Sequence, residues 1–363
     1  MKILLLSHAS LATGFIVGSH QLARQFSIQG HDVYHVSSPV SVMNLLKSAT
    51  GLRKLKVSLF EKNIIHEHWL VKDHIPFLPF PLGYNKLLDK INSFIIYKYL
   101  KKIYKEDFDL ILVDQPLFYS VLKFFRESKI IYRPTDIYGD MGGPRFDRAE
   151  AQILNYTNSV IATNLNILKI IKDKHNVKNS ITLNNGVDLE FFNRTMQENT
   201  HRAGVIYVGA IDFRFDLTFV LNLAKANPNL QFDIYGPIEV ELPQSLPKNL
   251  SFLGAVGYLQ LPKLMQKYSY GLMPFNNHPS NKGRSPMKLW EYYAAGLKIV
   301  AKIHPDNEIA GLPNALYVNL NHTGENLIIT ESPTSQEMTE SITVPSWSNI
   351  SKQIIDFSSK LPD

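Results

Sequence analysis

Short apolar runs alternate with amphipathic stretches along most of the chain. Residues 2 to 7, KILLLS, have the length and character of a buried strand. A Gly-containing loop follows, and then Leu22, Ala23, Phe26 and Ile28 recur at helical spacing up to Gly30, a residue suited to ending a helix. Val33, Tyr34 and Val36 begin a second strand, so this strand-helix-strand unit of about 35 residues has the size of a parallel crossover. Further strands are read at DLILVD (109–114), IIYRP (130–134, closed by Pro134) and SVIAT (159–163), the last preceded by a helix from about Arg148. NILKIIKDKH then reads as a helix and SITLNNG as a strand ending in a turn.

A second alternation starts after the polar stretch NRTMQENTHRAG. AGVIYVGAI, QFDIYGP, LSFLGAV, YGLMPF and LKIVAK read as strands; TFVLNLAKANP, LPKLMQKYS and the start of SPMKLWEYYAAG read as helices, and residues 346–360 as a final helix. Two successive runs of this kind predict two doubly wound, Rossmann-like α/β domains, divided near residues 190–203. The expected division is residues 1–195, residues 196–345 and a last helix in 346–363 that crosses back to the first domain. Ligands of open parallel sheets sit at the carboxyl ends of the strands. Two such domains facing each other across a cleft would therefore each present one ligand.

At 363 residues the chain exceeds one ordinary hydrophobic core, and 45% hydrophobic with 19% charged residues is a globular composition. The absence of cysteine removes disulfides and thiolate metal sites and fits an intracellular chain. MKILLLSHAS is too short in its apolar part for a secretory signal, and no 18-residue apolar run occurs. The net charge of +6 is uneven: Lys47 to Lys105 holds 12 Lys and Arg against Glu61, Glu67, Asp73 and Asp89, a local +8. Phe60, Trp69, Phe77, Phe80, Tyr84, Phe94, Tyr97 and Tyr99 are interleaved with those charges. The mixture over 44–105 suits an anionic membrane surface or a nucleic acid, and equally a solvated helix face with core aromatics behind it.

The loop after the first strand has Gly14 and Gly18 four apart, the wrong spacing for a dinucleotide fingerprint, and no G-x-x-x-x-G-K-[ST] loop is present. DFD (107–109) directly precedes the strand LILV and reads as an acidic cap rather than a metal site. HEH (66–68) places two imidazoles on one side of a strand with no third ligand at a matching spacing, which favours a non-metal role.

The second domain offers more chemistry. Gly209 lies just past a strand, where backbone can approach a ligand, with Arg214 five residues on to meet phosphate; Gly236 ends the next strand. The loop NNHPSNKGRSPMK holds Lys282, Arg284 and Lys288 around Ser285 and Pro286, with Met287 between Pro286 and Lys288. Free backbone N–H groups at a helix start, the helix dipole and these basic side chains make a diphosphate site, and Glu291, one turn in, is placed to accept from a ribose diol.

SPMKLWEYYAAGLKIVA resembles the donor-site segment P-x-K-x-x-E-Y-x-A-A-G-x-P-V-V-A of GT-B glycosyltransferases, notably family 4, and NNGVDLEFF (184–192) resembles the N-G-V-D-x-x-x-F that opens their donor domain. The resemblance covers 130–301 well, 1–40 weakly and 42–105 hardly at all. It implies a nucleotide-sugar donor on the C-terminal domain and an acceptor on the N-terminal one, with Lys288 at the donor phosphates and Glu291 at the ribose. Two positions depart: Gly283 stands where retaining family 4 enzymes carry a Glu, and Lys298 where their Pro is usual. The Met287–Lys288 pair with an acid three residues on is also similar to the inverting glucuronosyltransferase of xanthan assembly, which leaves the stereochemistry open and inversion favoured.

Inversion needs a base for the acceptor hydroxyl. YRPTDIYGDMGG offers Asp136 first, where related enzymes carry an Asp, and Asp140 second; the alternative for Asp136 is a turn-forming role after Pro134. His20 is a third option, as base or as acceptor contact. The helix terminus and basic residues can neutralise the departing diphosphate, so neither metal nor cofactor is required and the nucleotide sugar is a co-substrate. The expectation is a cytoplasmic, metal-independent hexosyltransferase, peripheral at the inner face of the plasma membrane. It would use a UDP-sugar and a lipid-linked glycan acceptor in bacterial polysaccharide or glycolipid assembly, without nucleic acid. The rivals are a nucleotide-sugar 2-epimerase-like enzyme on the same fold and a non-enzymatic membrane- or nucleic-acid-binding protein.

Overall fold

The computed structural model describes residues 1–11, 16–41, 65–66, 70–104, 107–193, 202–302, 315–318, 329 and 343–362. The chain divides into two compact units: Met1–Asn185 with Gly283–Ser285 and Trp347–Asp363, and Gly186–Lys282 with Pro286–Ser346.

In the first unit, β1 (Lys2–Leu6), α1 (Gly18–Ile28), β2 (Asp32–Val36), β3 (Val40–Ser41), β4 (Ile65–His66), β5 (Val71–His74), β6 (Phe77–Leu78) and α2 (Lys86–Ile103) come first. After them come β7 (Leu110–Val113), a 3-10 helix (Pro116–Phe124), β8 (Lys129–Tyr132), α3 (Tyr138–Gly142), α4 (Pro144–Ile153), β9 (Ser159–Ala162), α5 (Leu165–Lys174) and β10 (Asn179–Thr182). Eight strands form one sheet in the order β10-β9-β8-β7-β1-β2-β5-β4, parallel except where β4 meets β5. β7 (LILV) and β9 (SVIA) are buried throughout, which is why they read as continuous apolar runs: helices cover both faces of a parallel sheet. α1 ends as its sequence predicts. Gly30 is left-handed at φ 84°, and the His31 and Gly30 amides donate to Phe26 and Ser27 carbonyls, a Schellman closure.

The second unit holds α6 (Leu189–Asn193), β11 (Val205–Val208), α7 (Leu217–Ala226), β12 (Phe232–Tyr235), β13 (Leu250–Gly254), α8 (Leu261–Met265), β14 (Tyr270–Met273), α9 (Met287–Ala294), β15 (Lys298–Lys302) and β16 (Ala315–Val318). Its sheet is parallel throughout, in the order β13-β12-β11-β14-β15-β16. Val205 and Tyr207 of β11 pack with Phe219, Val220 and Leu223 of α7 on one face, whereas Ile206 packs with Leu289 and Tyr292 of α9 on the other. The alternation along one strand thus feeds two cores.

α10 (Trp347–Ser359) belongs to the first unit. It lies against α1, and Gln29 Nε2 donates to Ser351 Oγ over 2.7 Å. Trp347 is buried, and a Cβ on Gly18 would meet its ring at 3.0 Å.

Two local expectations change. The helix before β9 starts at Pro144 rather than near Arg148, because proline fits the first helical turn. The Gly-rich stretch after β8 is not all loop: Tyr138–Gly142 make the single turn of α3, with Asp140 on it.

Candidate functional site

In the second unit, the carboxyl ends of β11 and β12 are built by two glycines that need each other. Gly209 donates its amide to the Tyr235 carbonyl (2.9 Å), and Gly236 donates to that of Gly254 (2.8 Å). A Cβ on Gly236 would overlap the carbonyl oxygen of Gly209, and both residues have positive φ, 147° and 153°. The rim there is bare backbone because no side chain fits.

Lys288 lies over that bare patch. A Cβ on Gly209 would run into its ammonium. Lys288 Nζ donates to the Tyr207 hydroxyl (3.0 Å) and sits 4.2 Å from the Tyr207 ring centre and 5.7 Å from that of Phe275. The Tyr207 hydroxyl donates onward to the Ala210 carbonyl (2.9 Å). Aromatic faces and a hydroxyl thus fix the position of the ammonium.

Lys288 stands in the first turn of α9, whose cap, Pro286, makes no side-chain hydrogen bond to the helix amides, and the first turn has no acid. Pro286 is the cap rather than the first helical residue, and Met287 takes that place. The positive end of the helix is therefore aligned with the Lys288 charge.

One turn on, Glu291 is buried and accepts from the Tyr258 hydroxyl at 3.0 Å. Burial pushes its carboxyl up to about 7, against the lowering effects of Tyr258 and Lys288. Its helix neighbour Tyr292 accepts the Val208 amide at 2.9 Å, locking α9 to the end of β11.

Other candidate residues are placed differently. Arg214 gives Nε and Nη2 to Asp212 Oδ2 (3.0 and 2.6 Å), and its amide bonds Asp212 Oδ1. Lys282 is exposed on the 3-10 turn Pro279–Gly283. Arg284 and Ser285 belong to the first unit, where Asn164 Nδ2 donates to the Arg284 carbonyl (3.2 Å) and Asn185 bonds Ser285 through both amide and side chain (2.7 and 2.8 Å).

Gly283 opens that segment. A Cβ there would lie 2.6 Å from Ile137 Cγ1 and 3.0 Å from Ile167 Cγ1. Any side chain at this position would crowd both isoleucines.

The strand ends of the first unit gather a second polar set. His35, buried at β2, hydrogen-bonds Asp73 Oδ1 through Nδ1 (2.8 Å) and Ser19 Oγ through Nε2 (3.0 Å), and Ser19 bonds Ser7. Asp73 Oδ2 accepts from Ser10 Oγ (2.6 Å) and the Leu11 amide (2.8 Å). Burial alone would raise Asp73, but the His35 and Ser10 hydrogen bonds overcome it and hold the carboxyl at about 2.

His20 lies against His35, with ring centres 4.6 Å apart and the rings tilted by 34°. Its Nδ1 accepts the Val17 amide (3.1 Å), which assigns the proton to Nε2, an atom that is buried and makes no hydrogen bond among the described residues. Burial and then His35 drive its pKa well down, so His20 is a neutral donor at neutral pH. Among the described residues, His20, His35 and Asp73 form a possible metal-ligand set, their ligand atoms lying within 4.8 Å of one another. The DFD motif sits at the opposite, amino end of β7: Asp107 pairs with Lys101 (2.6 Å) and Asp109 accepts the Lys2 amide (2.7 Å). His68 of HEH lies outside the described residues.

Asp136 follows β8 half-buried, beside Thr135, whose hydroxyl is 3.0 Å from that of Tyr138. Asp140 is exposed on α3. Below them, the Arg133–Asp114 ion pair (2.5 Å) is buried, and Arg133 also reaches Asn185 (3.2 Å). The sequence gives His35 and Asp73 no motif; a His and an Asp near the ends of two strands are the available signal, and only the adjacency of β2 and β5 unites them.

No family model matches the chain. TuaH of Bacillus subtilis (strain 168), assigned as a teichuronic acid biosynthesis glycosyltransferase, is 27% identical over 132 residues, 33% of this chain and 33% of that protein. The match therefore spans about a third of that relative's length. Among solved structures, the catalytic domain of starch synthase IV from Arabidopsis thaliana, bound to ADP and acarbose, superposes with a TM-score of 0.63 at 10% identity, covering 99% of each chain. An alpha-glucosyltransferase in complex with UDP and a 13-mer DNA gives 0.52 at 13% identity over 83% of this chain and 79% of that one. At such identities the likeness is one of architecture. With two doubly wound parallel units matched over nearly the full length, the chain has the GT-B fold of glycosyltransferases.

Proposed function

We propose that the protein is a glycosyltransferase that moves a hexose from a nucleoside diphosphate sugar, UDP-linked by preference, to a lipid-linked glycan acceptor at the cytoplasmic face of the membrane, in bacterial polysaccharide or glycolipid assembly. One observation carries the reading. Lys288 is held at the open start of α9, over the bare backbone of Gly209, one turn before buried Glu291. A diphosphate needs the first two features, and a ribose diol needs an acceptor at the distance of the third. TuaH, with its teichuronic acid assignment, supports the polymer context.

The second unit holds the donor in this reading, and the first holds the acceptor. The acceptor hydroxyl attacks the anomeric carbon and its proton passes to the Asp136 carboxylate. The bond from that carbon to the diphosphate breaks, and the nucleoside diphosphate departs. Lys288 and the α9 amides take up its charge, so the step needs no metal. The experiment is nucleoside diphosphate release from UDP-sugar with and without a polyprenyl-phosphate-linked glycan. Acceptor-dependent release supports the reading, and donor turnover independent of acceptor contradicts it.

A further inference from the structure

The first half of α2 is packed inside out. Asp89, Asn92 and Ser93 are buried, whereas Leu87 (66% exposed), Ile91 (44%) and Phe94 (52%) face outward one turn apart. The buried polar row grips neighbouring chain. Asp89 accepts the Gly83 amide (2.7 Å) and the Tyr119 hydroxyl (2.6 Å), and Asn92 Nδ2 donates to the Phe80 carbonyl (3.0 Å). These bonds fasten the segment before the helix, where Phe77, Phe80 and Tyr84 are also exposed, Tyr84 at 68%. Single exposed apolar residues are ordinary; a row of them on consecutive turns above a polar interior is not.

The border of this face is basic. Lys86, Lys90 and Lys98 are exposed with it, and Lys98 Nζ lies 5.5 Å from the Phe94 ring centre. The sole acid of α2, Asp89, is turned inward. Lysine is depleted in protein–protein interfaces, but beside a bilayer its stem packs on apolar groups while its ammonium reaches lipid phosphate. α2 is also no membrane span: no described helix is long and apolar enough to cross a bilayer.

We propose that Phe80, Tyr84, Leu87, Ile91 and Phe94, rimmed by Lys86, Lys90 and Lys98, dock in the headgroup region of an anionic bilayer with α2 lying in its plane. The proposal rests on the reading of a lipid-linked acceptor and names the surface that would bring the protein to it. The test is sedimentation of the full chain with phosphatidylcholine vesicles, with and without phosphatidylglycerol, at low and high salt. The wild type should sediment with the anionic vesicles only, and salt should release it. Lys86→Glu/Lys90→Glu/Lys98→Glu should weaken partitioning by about 100-fold, and Ile91→Glu/Phe94→Glu by about tenfold or more. Both variants should keep the wild-type near-UV circular dichroism and its thermal shift with UDP-sugar. Equal partitioning of wild type and a folded variant would overturn the proposal. So would a wild type that ignores vesicles and self-associates through this face, lost in Ile91→Glu/Phe94→Glu. A wild type stabilised by UDP-sugar that ignores vesicles overturns the surface and leaves the transferase standing; vesicle binding without any nucleotide-sugar binding does the reverse.

Discussion

The ammonium of Lys288 lies 3.0 Å from the hydroxyl of Tyr207 and 4.2 Å from the centre of its ring. The ring and hydroxyl thus aim the charge before any phosphate arrives. Tyr207→Phe keeps the ring and removes the hydroxyl, so UDP affinity should fall by about five- to tenfold, the worth of one hydrogen bond. Lys288→Ala removes the charge itself and should cost about 100-fold. Titration calorimetry with UDP checks both: wild-type affinity in Tyr207→Phe would remove Tyr207 as the positioning group.

Gly236 and Gly257 separate close approach from mere loop position. A Cβ at Gly236 meets the Gly209 carbonyl, whereas at Gly257 nothing lies within 4 Å. Gly236→Ala should destabilise by about 1–3 kcal/mol and weaken UDP binding, with Gly257→Ala close to wild type in both. Thermal melts of the pair, with and without UDP, decide it.

Glu291 makes a pH prediction. Its carboxyl is raised from 4.5 to about 7, so between these values the folded state holds a proton that the unfolded state has lost. Stability from this group is present below about pH 4.5 and is lost as pH rises through about 7, by at most about 3 kcal/mol. Glu291→Gln should therefore flatten the fall in stability over that window, as measured by denaturant melts across pH. An unchanged slope would place the ionisation elsewhere.

Asp136 and Gly283 test the chemistry together. Asp136→Asn should lower kcat by about 100- to 10,000-fold with donor affinity unchanged. Gly283→Glu should not create a retaining enzyme: with Ile137 and Ile167 in its way, the new side chain should cost about 1–3 kcal/mol of stability and leave the anomeric product unaltered. Product stereochemistry by NMR and the two rate constants are the readouts; near wild-type turnover in Asp136→Asn would remove it as base.

Much of the fold was legible because parallel strands buried on both faces, such as LILV at β7, announce themselves, and because Gly30 and Pro134 mark ends. The grouping of Gly209, Lys288 and Glu291, the proposed donor residues, was legible for a related reason: backbone approach and helix spacing are local. The first half of α2 was not, since Leu87, Ile91 and Phe94 face out and Asp89, Asn92 and Ser93 in, the reverse of what periodicity assumes. The Asp73–His35–Ser19 chain was hidden too, because it joins residues from β5, β2 and α1 that only the sheet order unites.

Nucleotide-sugar recognition through Lys288 and Glu291 is tested most directly by the thermal shift of the wild type and of Glu291→Ala across UDP-, GDP- and dTDP-sugars. A UDP-sugar should raise the melting temperature of the wild type most, and Glu291→Ala should lose most of that rise while remaining folded. A wild type that no nucleotide sugar stabilises would contradict the central claim.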